Sequence, residues 1–132
     1  MTLVLADTSA WARISQARVA GLIADANDAG ALLMTGPLAI ELLRVARNGN
    51  EFRRLRRLYG SLDFIPLSEA ISRRARDVLA GLAERGWHRG PSVTDLLIAA
   101  AAERAGATVW HHDKHFEQIA EITGQPVERI GK

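Results

Sequence analysis

The segment Leu3-Val4-Leu5-Ala6-Asp7 runs four apolar residues directly into an aspartate. A short apolar run without polar alternation is typical of a strand buried on both faces of a parallel sheet. Thr2–Ala6 is therefore predicted as such a strand. In parallel α/β sheets, functional sites form at the carboxyl ends of the strands, so Asp7 lies where a site is expected.

Short apolar runs of the same kind recur along the chain, and helical segments separate them. Further strands are predicted at Ala31–Thr35, Asp63–Leu67, Ala107–Trp110 and Val127–Ile130. Helices are predicted at Ala10–Asp28, Leu38–Arg47, Glu51–Tyr59, Ser68–Arg85, Ser92–Gly106 and Lys114–Ile122. This alternation predicts an α/β protein with a short, mainly parallel central sheet that helices cover on both faces.

The composition fits one soluble domain that spans residues 1–132. The chain is 48% hydrophobic and 24% charged, as in ordinary globular proteins. No apolar run approaches the roughly 20 residues that cross a bilayer, and no signal-peptide pattern precedes Leu3. The chain has no cysteine, which excludes disulfides and thiol chemistry. These features predict a cytoplasmic protein without a membrane partner.

The net charge of +2 is too small to identify a nucleic-acid-binding protein by itself. Basic residues nevertheless cluster in two predicted helices: Arg53, Arg54, Arg56 and Arg57 in one, and Arg73, Arg74 and Arg76 in the other. Each cluster is either a solvated helix face or a patch that binds phosphate groups. The sequence leaves both interpretations open.

Three further acids resemble Asp7 in their setting. Asp113 follows the fourth predicted strand after two histidines. Asp95 lies in the first turn of a predicted helix, and Glu41 lies early in another. Both share a helix face with apolar residues, and such faces normally point inward. Burying an unpaired carboxylate is costly, so these acids are expected to have a partner.

Each acid also has a purely local explanation. Asp7 and Asp113 can cap the helices that follow them, and Asp95 can form a capping box with Ser92. Glu41 can pair with an arginine further along its helix. These explanations do not account for the position of three acids at one edge of the predicted parallel sheet, where the strands end and the helices begin.

If the acids converge, a cation is the natural partner. Two carboxylates about 4 Å apart repel by about 4 kcal/mol at an effective dielectric of about 20. Oxygen ligands suit a hard divalent ion such as Mg²⁺ or Mn²⁺. An ion held in this way can activate water and neutralise charge on a phosphoryl group, which favours metal-dependent phosphodiester hydrolysis.

The order of the acids resembles that of PIN-domain ribonucleases of the VapC type, the toxins of bacterial toxin–antitoxin systems. Four segments carry the resemblance: Leu3-Val4-Leu5-Ala6-Asp7-Thr8-Ser9, Ala39-Ile40-Glu41-Leu42, Thr94-Asp95-Leu96-Leu97-Ile98-Ala99-Ala100 and His112-Asp113-Lys114-His115-Phe116-Glu117. They span almost the whole chain in the family's order. A single Asp-Thr-Ser would be weak evidence, whereas the four segments together are specific.

The resemblance implies a three-layer α/β/α fold and an endoribonuclease that acts on RNA. It implies that Asp7, Glu41, Asp95 and Asp113 hold Mg²⁺, or Mn²⁺ in its place, with Ser9 as a polar helper. It also implies a homodimer and a cognate VapB-type antitoxin. The chain departs from the family at His115, where a second acid often follows Asp113 by two residues.

Several alternatives stay open at this point. A PIN-like module that binds RNA or a protein without cleaving is the main rival, although it is expected to have lost the acids. His111, His112 and His115 have no assigned role, and a separate zinc site that includes Asp113 is a minor alternative. The sequence leaves open the RNA target, the number of ions, and the residues that contact the antitoxin or a second protomer.

Overall fold

The computed structural model describes every residue from Met1 to Lys132. Its five strands are β1 (Val4–Ala6), β2 (Leu32–Met34), β3 (Asp63–Phe64), β4 (Thr108–His111) and β5 (Val127–Arg129). Its seven helices are α1 (Thr8–Trp11), α2 (Ala17–Asp28), α3 (Gly36–Arg44), α4 (Gly49–Gly60), α5 (Glu69–Glu84), α6 (Val93–Ala105) and α7 (Lys114–Thr123). None of the helices combines the length and the apolar character that crossing a bilayer requires.

The strands form one parallel sheet in the order β3-β2-β1-β4-β5. From β1 the chain moves outward to β2 and β3, then crosses to the other side of β1 to form β4 and β5. Because such crossovers are right-handed, α1–α4 and α5–α7 cover opposite faces. The predicted three-layer α/β/α sandwich is therefore confirmed. The strand order reverses between β1 and β4, and this switch point is where α/β proteins bind ligands.

Helix α6 has more buried residues than any other helix and contacts both strands at the switch point. Residues 99–102 are four consecutive alanines, each at most 3% exposed. Their short side chains let the helix backbone approach β1, where Leu5 and Ala6 are fully buried. This packing fixes the amino-terminal end of α6, and with it Asp95, beside the carboxyl end of β1.

The helix predicted at Ala10–Asp28 is wrong in one respect, because the structure divides it into α1 and α2. The intervening turn binds the carboxyl-terminal residue of the chain. Arg13 Nε lies 3.2 Å from the Lys132 carbonyl oxygen, and the Gln16 side chain bonds both the N–H and the C=O of Lys132. These partners are more than a hundred residues away along the chain, so local periodicity carries no signal of the break.

Gly81 allows α5 and α7 to pack closely. A Cβ at Gly81 would lie 2.7 Å from Cγ2 of Ile122, whereas a Cβ at Gly21 in α2 would meet nothing within 4 Å. Overpacking costs about 1–3 kcal/mol, and replacing a helical glycine by alanine gains about 1 kcal/mol. We expect Gly81→Ala to lower the free energy of unfolding by about 1 kcal/mol and Gly21→Ala to raise it by about as much. Urea denaturation measures both, and a stabilised Gly81→Ala protein would contradict this packing.

Candidate active site

Asp7 is buried at the end of β1, with only 3% of its surface exposed. Its backbone N–H donates to the Trp110 carbonyl oxygen of β4. Its carboxylate caps α1, because Oδ2 accepts bonds from the Ser9 N–H at 3.0 Å and the Ser9 hydroxyl at 2.7 Å. Burial raises the pKa of Asp7 despite these bonds, and the charge of Asp113 adds to the rise.

Asp113 lies in the turn that follows β4, and a buried histidine shapes this turn. The Asp113 N–H donates to Nδ1 of His111, whose side chain is 1% exposed. Because Nδ1 accepts, Nε2 carries the proton, and burial lowers the pKa of His111. The Asp113 carboxylate in turn caps α7 by accepting the His115 N–H at 2.9 Å.

Ser9 joins the two strand ends that carry Asp7 and Asp113. Its hydroxyl donates to Asp7 and accepts the backbone N–H of His112 at 2.8 Å. The hydroxyl hydrogen and one lone pair are therefore in use. The geometry makes Ser9 a residue that orients Asp7 and ties β1 to β4.

Asp95 forms the capping box with Ser92 that the sequence allowed. The Ser92 N–H donates to Asp95 Oδ2 at 2.9 Å, and the Asp95 N–H donates to the Ser92 hydroxyl at 3.1 Å. The carboxylate also faces the other acids, since burial and then the charges of Asp7 and Asp113 raise its pKa. The local and the functional interpretations of Asp95 are thus compatible.

Glu41 lies at the border of this cluster. Its Oε2 accepts a hydrogen bond from the Thr8 hydroxyl at 2.9 Å, and Thr8 adjoins Asp7 in the chain. The predicted pair with Arg44 or Arg47 is not formed: Arg47 lies beyond the end of α3 and pairs with Glu51 instead. Glu41 and Arg44 share the wall of a shallow depression, so a carboxylate that can bind a cation and a guanidinium that can bind an anion lie side by side there.

The structure thus brings Asp7, Asp95 and Asp113 together and places Glu41 beside them. Sequence reasoning did not assign His115, whose Nδ1 lies 3.7 Å from Asp95 Oδ2 and 3.2 Å from Asp113 Oδ1. The signal for it was its position two residues after Asp113, where the chain departs from the pattern that the resemblance implies. Thr8 was also missed, because its bond to Glu41 depends on the packing of α1 against α3, whereas Arg44 lies three residues after Glu41 in the same helix.

The donor set fits a divalent cation. Ligand atoms of Asp95, Asp113 and His115 lie within 4.8 Å of one another, and Asp7 is close enough for its charge to raise the pKa of Asp95. Carboxylate oxygens and an imidazole nitrogen are ligands for divalent ions of the first transition row, and carboxylates are also ligands for Mg²⁺. Buried carboxylates that raise one another's pKa are stabilised when such an ion binds.

A parallel sheet with converging carboxylates at its switch point defines an α/β/α protein with an acid-lined site. The family model of the PIN domain matches residues 4–122. Ribonuclease VapC2 of Mycobacterium tuberculosis (strain CDC 1551 / Oshkosh) is 40% identical over 129 residues, covering 96% of this chain and 91% of the relative. Ribonuclease VapC51 of strain ATCC 25618 / H37Rv is 38% identical over 126 residues, with the same coverage of 96% and 91%. The chain therefore belongs to the PIN domain family, as its motifs predicted.

A solved structure supports the fold independently. The chain is similar to a chain in the crystal structure of VapBC2 from Rickettsia felis bound to a DNA fragment from their promoter. The TM-score is 0.79, and the match covers 98% of this chain and all of that one at 13% sequence identity. At that identity the similarity concerns the fold alone.

Proposed function

We propose that this chain is an endoribonuclease that depends on Mg²⁺ or Mn²⁺ and acts as the toxin of a toxin–antitoxin pair. The observation that carries the proposal is the convergence of Asp7, Asp95 and Asp113 at the switch point of the sheet, where burial and the charges of neighbouring acids raise the pKa of Asp7 and Asp95. The relatives named ribonuclease VapC, at 35–40% identity over most of the chain, support the choice of RNA as substrate.

In this proposal Asp7, Glu41, Asp95 and Asp113 hold the cation, and residues 1–132 form one nuclease domain. When bound, the cation supplies activation of water and charge compensation at the scissile phosphate. Ser9 keeps the Asp7 carboxylate in a fixed orientation through the 2.7 Å bond. Thr8 holds Glu41 at the border of the pocket. The acids are therefore positioned before substrate arrives, which lowers the cost of organising the site.

Cleavage of RNA and the chemistry of the new ends test this proposal. Purified protein incubated with structured RNA and Mn²⁺ is expected to yield a 5′-phosphate and a 3′-hydroxyl, because water attacks the phosphate. Chelation of the ion should stop the reaction. A 2′,3′-cyclic phosphate product would contradict the mechanism, since it requires attack by the ribose 2′-hydroxyl. RNA binding without cleavage under all conditions would favour the non-cleaving module.

Arginines near the Glu41 depression are the proposed contacts for flanking phosphates. Two of the α5 arginines are engaged elsewhere: Arg74 pairs with Glu103 and Arg76 with Glu69. The α4 arginines are exposed, and Arg54 is close enough to Tyr59 to affect its pKa, although burial is the main influence there. Tyr59 and Glu41 line one cavity, so this side of α4 borders the site.

Arg44 is the arginine that shares a wall with Glu41. We expect Arg44→Gln to reduce the slope of log K against log salt for RNA binding by about one unit, because one phosphate contact is lost. Filter binding of a cleavage-inactive protein over a series of salt concentrations measures this slope. Arg76→Gln is the matched control, since it removes a charge that is paired with Glu69 on α5. Equal slopes for wild type and Arg44→Gln would remove Arg44 from the interface.

A VapB-type antitoxin is the proposed protein partner, and a homodimer is the proposed assembly. Solved neighbours from Rickettsia felis and Salmonella typhimurium are VapBC complexes. On this chain, Ile40, Val45 and Leu58 expose apolar surface on α3, at its end and on α4. An amphipathic segment of the antitoxin is proposed to cover them. Leu42 and Tyr59, on the same two helices, are buried in the core and are not part of this surface.

A further inference from the structure

The three histidines around Asp113 make different contacts, and one of them faces the acids. His111 uses Nδ1 to accept the Asp113 N–H and is almost fully buried. His112 uses Nδ1 to bond the Ile130 carbonyl oxygen at 3.0 Å, on the side of the chain's last strand. His115 directs Nδ1 toward Asp95 and Asp113. It is the imidazole placed to act together with the carboxylates.

The distances around His115 suit a shared cation. Nδ1 lies 3.2 Å from Asp113 Oδ1 and 3.7 Å from Asp95 Oδ2. A charge-assisted hydrogen bond is shorter, at about 2.7–2.9 Å. Neighbouring ligands of one ion with bonds of about 2.1 Å are separated by about 3 Å or more, which matches both distances.

The opposite edge of the His115 ring is held by the connection between α5 and α6. A Cβ at Gly90 would lie 3.2 Å from Cδ2 and 3.3 Å from Nε2 of His115, so the glycine makes room for the imidazole. The backbone N–H of His115 is also fixed by its bond to Asp113. With Cδ2 and Nε2 against Gly90, Nδ1 is the nitrogen that remains directed at the two carboxylates.

We propose that His115 is a ligand of the cation through Nδ1, and that this nitrogen shifts the metal preference of the site from Mg²⁺ toward transition ions such as Mn²⁺. The inference rests on the metal site in the proposed function. A hard ion such as Mg²⁺ prefers oxygen, whereas first-row transition ions accept imidazole. An imidazole nitrogen beside the carboxylates therefore changes the ion that the site selects.

Pulsed electron paramagnetic resonance of the Mn²⁺-loaded protein tests the assignment without reference to activity. A directly bound imidazole nitrogen modulates the electron spin echo of Mn²⁺. We expect this modulation in wild type and in His112→Asn, and its loss in His115→Asp, which replaces nitrogen by oxygen and keeps a ligand in place. In competition titrations, the preference for Mn²⁺ over Mg²⁺ should fall about tenfold in His115→Asp.

The outcomes separate this inference from the proposed function. Bound Mn²⁺ without nitrogen modulation in wild type would overturn the role of His115 and leave the carboxylate site standing. Persistence of the modulation in His115→Asp would also overturn it. Failure of wild type to bind Mn²⁺ would overturn the metal site and the inference together. Labelling the histidines of wild type with ¹⁵N provides a check that needs no variant, because the modulation frequencies must then change.

Discussion

Asp7→Asn should abolish RNA cleavage without destabilising the fold. The substitution removes a carboxylate ligand from the proposed metal site, so the rate should fall by about a hundredfold or more, the loss typical for one preorganised electrostatic contact. The asparagine side-chain oxygen can still accept the two hydrogen bonds from Ser9 that cap α1. Because burial raises the pKa of Asp7, removing its charge should leave the melting temperature of the metal-free protein equal to or above that of wild type.

The control for this experiment is Asp28→Asn, which changes an exposed acid at the end of α2. It should cleave RNA at the wild-type rate. In cells, expression of the wild type without an antitoxin is expected to arrest growth, and Asp95→Ala should relieve the arrest while co-expressed antitoxin suppresses it. An Asp7→Asn protein that is folded and cleaves at the wild-type rate would refute the nuclease assignment to this pocket.

Mn²⁺ should stabilise the protein strongly at neutral pH and progressively less as the solution is acidified. At a free ion concentration one hundred times the dissociation constant, binding adds about 2.7 kcal/mol to the free energy of unfolding. For a chain of this length, the corresponding rise in melting temperature is about 10 °C. Protons compete with the ion for the carboxylates, so the rise should shrink as the pH falls.

Without metal, the pH dependence should have the opposite sign. Asp7 and Asp95 have raised pKa values in the folded protein, chiefly because of burial. At a pH between the ordinary pKa of an unfolded aspartate and the raised pKa in the folded protein, the folded state binds more protons than the unfolded state. The contribution of the two acids to stability should therefore increase as the pH falls from neutral through the raised pKa values.

Thermal scans of metal-free and Mn²⁺-loaded protein across this pH range measure both trends. The double substitution Asp7→Asn and Asp95→Asn is the control. It should remove both the rise in melting temperature that Mn²⁺ causes and the gain in stability that the metal-free protein shows as the pH falls. A melting temperature that does not respond to Mn²⁺ at any pH would show that the pocket does not bind the ion.

The sequence predicted the parts of the site that depend on local structure. A buried run that ends in an acid identified Asp7, and a short strand that ends just before the histidines identified Asp113. Asp95 was identified because it shares a helix face with apolar residues, and that helix has the largest number of buried residues. The spacing of apolar residues and the polarity of a segment are local properties of the sequence. The helices, the strands and the parallel type of the sheet could therefore be predicted from them.

The remaining features depend on contacts between distant segments. Ser9 bonds the His112 backbone across 103 positions of the chain, and Thr8 bonds Glu41 across 33. The break between α1 and α2 coincides with contacts to Lys132. Strand β3 is shorter than predicted, because β2 ends at Met34, which pairs with Phe64 and accepts the Ile65 N–H. No periodicity within a segment encodes such contacts. The roles of the acids as metal ligands stay a prediction until an ion is observed.

The strand order has a consequence for the time at which the protein becomes active. Translation delivers β1 first, and its neighbour β4 appears only after most of the polypeptide has been made. A nascent chain on the ribosome thus carries Asp7 without Asp113 and has no complete pocket. The growing chain therefore lacks the proposed metal site, and an antitoxin of the proposed kind would need to bind only the completed protein.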